Sequence, residues 1–189
     1  MNCSKVETKA ALVKSSYLLE HLVNPRLLWY ILSLVMPSKN AIGGDNQQER
    51  LKTIGWIVGF TDGEGCFSIS VFKNKTTKNG WQIFPEFVVT QGEKSREVLE
   101  LIKNFFKCGG IYINRRYDNH NENLYRFCVR NLKDLRDIII PFFELNNLRS
   151  AKTKDFESFR KVVLLMNNKE HLTSEGFNKI LEIAGKKKF

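Results

Sequence analysis

The sequence predicts an α+β domain of antiparallel hairpins and packed helices, in the order α-β-β-α-β-β-α with extra helices at the C-terminal side. The first observation behind this is periodicity: from Leu51 onward, apolar residues switch between helical and strand spacing in a regular order. The second is punctuation, because the polar stretches "NKTTKNG" (74–80) and "DNHNEN" (118–123) each fall between two strand-like runs. The third is composition: 189 residues with 42% hydrophobic and 12% aromatic content can bury a substantial core.

A helix over 51–62 leads into an alternating strand, with Phe67, Ile69 and Val71 on one face and Ser68, Ser70 and Phe72 on the other. Residues 81–90 return as its partner. An amphipathic helix follows, carrying Val98, Leu99, Ile102, Phe105 and Phe106 on one side and ending at Gly109 and Gly110. Strands 111–117 and 124–130 form the second hairpin. There Ile111, Ile113, Phe127 and Val129 alternate with Tyr112, Asn114, Arg116, Arg126 and Arg130, which predicts one apolar and one polar, cationic face. Helices near 131–139, 151–167 and 174–184 close the chain. Upstream, the turn-rich stretch "PSKNAIGGDNQQER" (37–50) separates an N-terminal appendage, residues 1–45, from the main domain, residues 46–189.

Charge and the rarer residues narrow the function. Thirty Lys and Arg against 20 Asp and Glu give a net charge of +10, which favours a polyanionic partner, nucleic acid before an acidic membrane surface. Cys3, Cys66, Cys108 and Cys128 form no C-x-x-C pair and read as reduced intracellular thiols; His21, His120 and His171 are dispersed. Zinc sites, disulfide frameworks, Cys–His nucleophiles and HNH-type chemistry are therefore disfavoured. The apolar run "LLWYILSLVM" (27–36) is too short to span a membrane and reads as a buried core helix. Lys5, Lys9 and Lys14 among serines suggest an organelle transit peptide, although Glu7 and Glu20 break the acid-poor pattern. "GGIYI" (109–113) has Gly-Ile-Tyr without a following Tyr-Ile-Gly and reads as a strand, and the terminal "GKKKF" as a solvated tail.

Chemistry concentrates in "GWIVGFTDGEGCFSISV" (55–71). Asp62 and Glu64 stand at the C-terminal end of a helix, whose partial negative charge disfavours carboxylates unless something positive compensates. Gly55, Gly59 and Gly63 recur every four residues along one stripe, where close approach of a second helix offsets the cost of mid-helix glycine. Gly63 and Gly65 are expected to take left-handed conformations that end the helix. If the second helix belongs to a symmetry copy, each subunit delivers its acids to one shared spot. The structural alternative is a helix-to-strand turn whose acids face water.

This segment resembles the signature of the LAGLIDADG homing endonucleases, and "PEFVVTQ", "NLKDLRDIIIPFF" and "EHLTSEGFNKIL" extend the resemblance over residues 51–184. It implies a single-motif, homodimeric, site-specific double-strand DNA endonuclease that hydrolyses phosphodiesters at a long pseudo-palindromic intron-insertion site. It implies Mg2+ as cofactor, with Mn2+ or Ca2+ as other occupants, held by Glu64 and Gly63 and neutralising the acids. Glu64, Gln91 and Lys152 become the catalytic residues, Gln91 beside the active-site water and Lys152 beside the scissile phosphate. Lys154 competes with Lys152, because the spacing after "PFF" varies in the family. The dimer interface falls on Gly55, Gly59, Phe60, Asp62 and Gly63.

A curved two-stranded ribbon fits a DNA major groove, so the polar sheet face and hairpin tips supply the DNA contacts. These are Ser68, Ser70, Phe72, Lys73, Asn74, Lys75, Gln82, Glu86, Thr90, Tyr112, Asn114, Arg116, Arg126 and Arg130. On the same fold an RNA-binding intron-splicing maturase needs the basic surface and an intron RNA partner but not the carboxylates. Organellar origin, mitochondrial rather than chloroplast, goes with the resemblance, and no membrane partner is expected.

Overall fold

The computed structural model describes residues 45–77, 80–115 and 122–185. The appendage with its transit-like and apolar runs, Cys3, Arg116, the tip residues Lys78, Asn119 and Asn121, and the terminal lysines lie outside the described residues.

The α-β-β-α-β-β-α order is observed. Helix α1 (Asp45–Glu64) passes directly into β1 (Gly65–Lys73), which turns back through β2 (Trp81–Gly92). A 3-10 turn (Glu93–Ser95) precedes α2 (Arg96–Phe106), and β3 (Gly110–Asn114) with β4 (Leu124–Val129) completes the sheet. Strand order is β1-β2-β4-β3, and every neighbouring pair is antiparallel. The two hairpins are therefore joined through β2 and β4, with Phe87 opposite Val129.

Helices pack against one face of this sheet. Phe67 meets Phe87, Phe143 and Phe156 at centroid distances of 5.1, 5.3 and 5.2 Å, and Phe106 stands edge-on to Phe142 at 5.0 Å. Interlocked rings of this kind contribute beyond their buried area, through edge-to-face electrostatics. A second cluster of Ile83, Val162 and Ile180, with Val71, Met166 and Phe177 against it, fastens the far end of the first hairpin to the C-terminal helices. Those helices are α5 (Lys152–Asn167) and α6 (Ser174–Ile183).

Several expectations change. Residues 45–50, expected in a loop, form the first turns of α1. The helix expected to stop at 139 continues as α3 (Leu132–Asp134), a π-helical turn (Leu135–Ile139) and α4 (Ile140–Leu145). Pro141 has no N–H to donate and its ring would strike a carbonyl in a regular helix, so the wide turn just before it lets the chain stay helical. Ile113, expected on the covered face, is 45% exposed on the outer strand.

The left-handed residues also differ from expectation. Gly63 and Gly65 are not among those with positive φ; Lys107 (φ 52°) ends α2 and Gly109 (φ 76°) follows. Gly65 is required for space instead: a Cβ there would fall 2.5 Å from the Thr61 methyl and 2.7 Å from its carbonyl oxygen.

Candidate active site and nucleic-acid interface

The foot of α1 is built by contacts far apart in sequence. Asp62 turns to the loop before α5, where the N–H of Arg149 donates to its Oδ2 at 2.8 Å. The N–H and hydroxyl of Ser150 donate to its Oδ1 at 3.2 and 2.7 Å. The Ser150 hydroxyl oxygen in turn accepts from the N–H of Lys152 at 3.2 Å, at the start of α5. Partial desolvation pushes the Asp62 carboxyl up, but these donors and the nearby Lys152 charge outweigh it and hold the group below its ordinary value.

Lys152 closes the arrangement. Its ammonium donates to the carbonyl oxygens of Asp62 and Gly63 at 2.9 and 3.0 Å, satisfying acceptors that a helix end leaves without partners. The positive compensation anticipated for the acids thus exists within the chain: loop N–H groups serve Asp62, and a lysine serves the helix end. Metal was the compensation expected from the resemblance; it is not needed for Asp62. Lys154 is exposed, two residues further along α5. Arg149 and Ser150 were not singled out from the sequence, because backbone donors carry no residue signature.

Glu64 and Gly63 are exposed at the end of α1. Pairing of β1 with β2 ends at Gly65 opposite Val89, and Gln91, two residues further along β2, is half-buried. One carboxylate and main-chain carbonyls are the hard oxygen donors that Mg2+ takes. Among the described residues, no group of three His, Cys, Asp or Glu could hold a metal by itself. One chain therefore supplies a fitting but partial ligand set.

The glycine stripe faces open space. A Cβ built at Gly55, Gly59 or Gly63 meets nothing within 4 Å, so nothing among the described residues requires glycine there. Beside the stripe, Leu51 is 60% exposed and Trp56 39%, with Trp56 stacked on Phe60 at 5.0 Å. No described residue takes up the close approach that these glycines permit. Asp62, expected at the same interface, spends its carboxylate inside its own chain.

The sheet face away from the helices gathers Ser68, Ser70, Phe72, Gln82, Glu86, Thr90, Tyr112, Asn114, Arg126 and Arg130 by strand parity. Others among the expected DNA contacts do not join them. Lys73 has the parity of Val71, and its ammonium lies 5.5 Å from the centre of the Trp81 ring. Asn74 donates to Gln82 Oε1 at 2.7 Å, tying the tip to the strand, while Lys75 is exposed in the turn. Glu86 is 6% exposed rather than presented to solvent. Its Oε1 accepts from Arg126 Nη2 at 2.9 Å and its Oε2 from Arg130 Nε. Phe84, on the same face and missed from the sequence, stacks with Arg130 at 5.7 Å; its parity between Gln82 and Glu86 was the available signal.

Comparison with known proteins gives the geometry a context. The profile of the family described as LAGLIDADG endonuclease matches residues 57–163. A Neurospora crassa protein named "Probable intron-encoded endonuclease 2" is 38% identical over 127 residues, 67% of this chain and 27% of that protein. This chain thus spans about a quarter of the length of that relative. The crystal structure of the homing endonuclease I-TnaI is 40% identical with a TM-score of 0.62, covering 69% of this chain and 84% of the other. The LAGLIDADG meganuclease I-CpaMI, solved bound to uncleaved DNA, is 32% identical with a TM-score of 0.64, covering 69% of this chain and 42% of its own.

Proposed function

This chain belongs to the LAGLIDADG endonuclease family, and we propose that it is one subunit of a homodimeric DNA endonuclease cutting both strands at a long pseudo-palindromic intron-insertion site. The observation that carries the reading is the foot of α1. An exposed acid ends a helix whose glycine stripe is open among the described residues, so a partial ligand set and a helix face without a described partner coincide. A second copy related by a two-fold axis completes both, and its symmetry matches a pseudo-palindromic site. The DNA-bound relative, the intron-encoded relative and the net charge of +10 support DNA as substrate and an intron as origin, and we read that intron as organellar, mitochondrial rather than chloroplast.

Glu64 would hold the divalent cation, Mg2+, together with the Gly63 carbonyl through the lone pair that Lys152 does not use, and Mn2+ or Ca2+ would be accepted by the same oxygens. Bound there, the ion supplies relief of phosphoryl charge and an acidified water for phosphodiester hydrolysis. Gln91 orients water through its amide. Lys152 keeps an ammonium at the helix foot, where it offsets negative charge gathering on the phosphate. Asp62 positions this lysine by holding the 149–150 loop.

Glu64→Gln tests the reading, since it preserves shape but removes the charge that holds the cation. Cleavage of an intron-insertion sequence should fall by roughly three orders of magnitude, in line with loss of a metal-held transition state. Binding, followed on the same DNA by gel shift, should persist. Equal cleavage by the variant, or splicing of the intron without DNA cleavage by the wild type, overturns the proposal.

A further inference from the structure

The buried acid on the otherwise solvent-facing side of the sheet calls for a reason. A carboxylate loses hydration on burial and is retained only where cations and hydrogen bonds replace it. Glu86 has both, on β2 at the centre of the sheet, with Arg126 on Oε1 and Arg130 on Oε2. Two guanidiniums against one carboxylate leave this cluster with a net positive charge.

The two arginines are held differently. In register, Thr90 faces Arg126 and Val88 faces Cys128, while Arg130 follows the last rung beside Glu86. Arg126 must therefore lie back along the sheet to reach Glu86. Val88 and Cys128, which lie between Arg126 and Glu86 on this face, are only 4% and 2% exposed.

Arg130 is next to the acid and gives it only Nε. Its guanidinium is stacked with Tyr112 at 5.1 Å and Phe84 at 5.7 Å, and its side chain stays 42% exposed. Hydrogen bonding to Glu86 holds the guanidinium charge more firmly, and partial burial opposes this only in part. With Nε anchored on Glu86, Nη2 also donating to Cys128 Sγ at 3.9 Å and the plane held by rings from two neighbouring strands, Nη1 and the second N–H of Nη2 form a pre-oriented fork. Such a fork matches the O6 and N7 acceptors of guanine in the major groove, and prior immobilisation reduces the entropy cost of contact.

We infer that Glu86 is a positioning residue that fixes Arg130 as a guanine-reading fork, with Arg126 as the second cation compensating the buried charge. The inference rests on the DNA-binding reading above and deepens it by assigning a base class to one point of the sheet. Because the protein is read as a homodimer, guanine is expected at one position in each half-site.

The experiment is a base-preference profile, with each base at each position of the target measured by binding in Ca2+ to suspend cleavage. Wild type should prefer guanine at one symmetric position, and Arg130→Ala should lose that preference by roughly ten- to a hundred-fold, the range of one bidentate contact. Glu86→Gln should lose it at the same position while other positions keep theirs, a localised change that general loss of stability does not produce. Should Glu86→Gln fail to fold, Arg130→Gln leaves Glu86 paired with Arg126 and should move the preference from guanine toward adenine. An unchanged profile in Arg130→Gln overturns the inference, as does a Glu86→Gln protein with lower Tm and an intact profile. A wild type that binds DNA with sharp preferences but none for guanine sinks the inference alone; one with no preference anywhere takes the endonuclease reading down with it.

Discussion

Asp62 and Glu64 are two positions apart at one helix end, yet their surroundings separate them. Asp62 accepts from three donors of the 149–150 loop, whereas Glu64 stays exposed. Asp62→Ala should lower stability by about 1–2 kcal/mol, the worth of charge-assisted hydrogen bonds at a part-exposed site, read as a lower Tm. The pH dependence has a definite sign. The folded carboxyl is held below its ordinary value of 3.8, so its contribution is fully present above that value and is lost as pH falls through the folded one. Tm curves of wild type and Asp62→Ala should therefore converge in acid; a gap constant down to pH 2 would refute the assignment. Lys152→Ala should cut cleavage by roughly two orders of magnitude, the scale of one lost electrostatic contact, while Lys154→Ala stays near wild type in the same assay. Reversal of that order hands the role to Lys154.

Within α1 and its junction with β1, glycines of one motif are needed for opposite reasons. A side chain at Gly59 meets nothing within 4 Å among the described residues, while one at Gly65 would overlap Thr61. Gly59→Leu should consequently fold with an unaltered Tm for the isolated subunit but sediment as a monomer, because the branched side chain holds the second helix away. Gly65→Ala should do the reverse, losing roughly 1–3 kcal/mol through overpacking while keeping its oligomeric state. Analytical ultracentrifugation beside thermal melts reads both, and a wild type that is monomeric on and off DNA would rule out the shared site. The helical end of the sheet makes a related point: Pro141 does not terminate its helix, because a π-helical turn absorbs it.

Among the described residues, the helices cover one face of the sheet and leave the other exposed, and a net charge of +10 suits that face to the DNA proposed above. Affinity should fall steeply with salt as counterions are released. Lys75→Ala, in the exposed turn between β1 and β2, should weaken binding to matched and random DNA alike and reduce the slope of log K against log salt by about one. An unaltered slope would remove Lys75 from the phosphate contacts. Such a uniform effect contrasts with Arg130, where the expected loss is confined to one base position.

Periodicity in the sequence determined the element order, the two hairpins and the parity that sorts Ser68, Ser70, Tyr112 and Arg126 onto one face, because alternation and helical spacing are local rules. The motif, through its resemblance, pointed to Glu64 and Lys152 together. What separated Asp62 from Glu64, and set the Lys152 ammonium on the last carbonyls of α1, was contact across about 90 residues of chain, which no local pattern records. The same holds for Glu86: alternation put it on the solvent-facing side, but only the meeting of β2 with β4 brought two arginines to bury it. Side-chain direction is a short-range property of the backbone, whereas burial and ion pairing depend on which distant strands become neighbours.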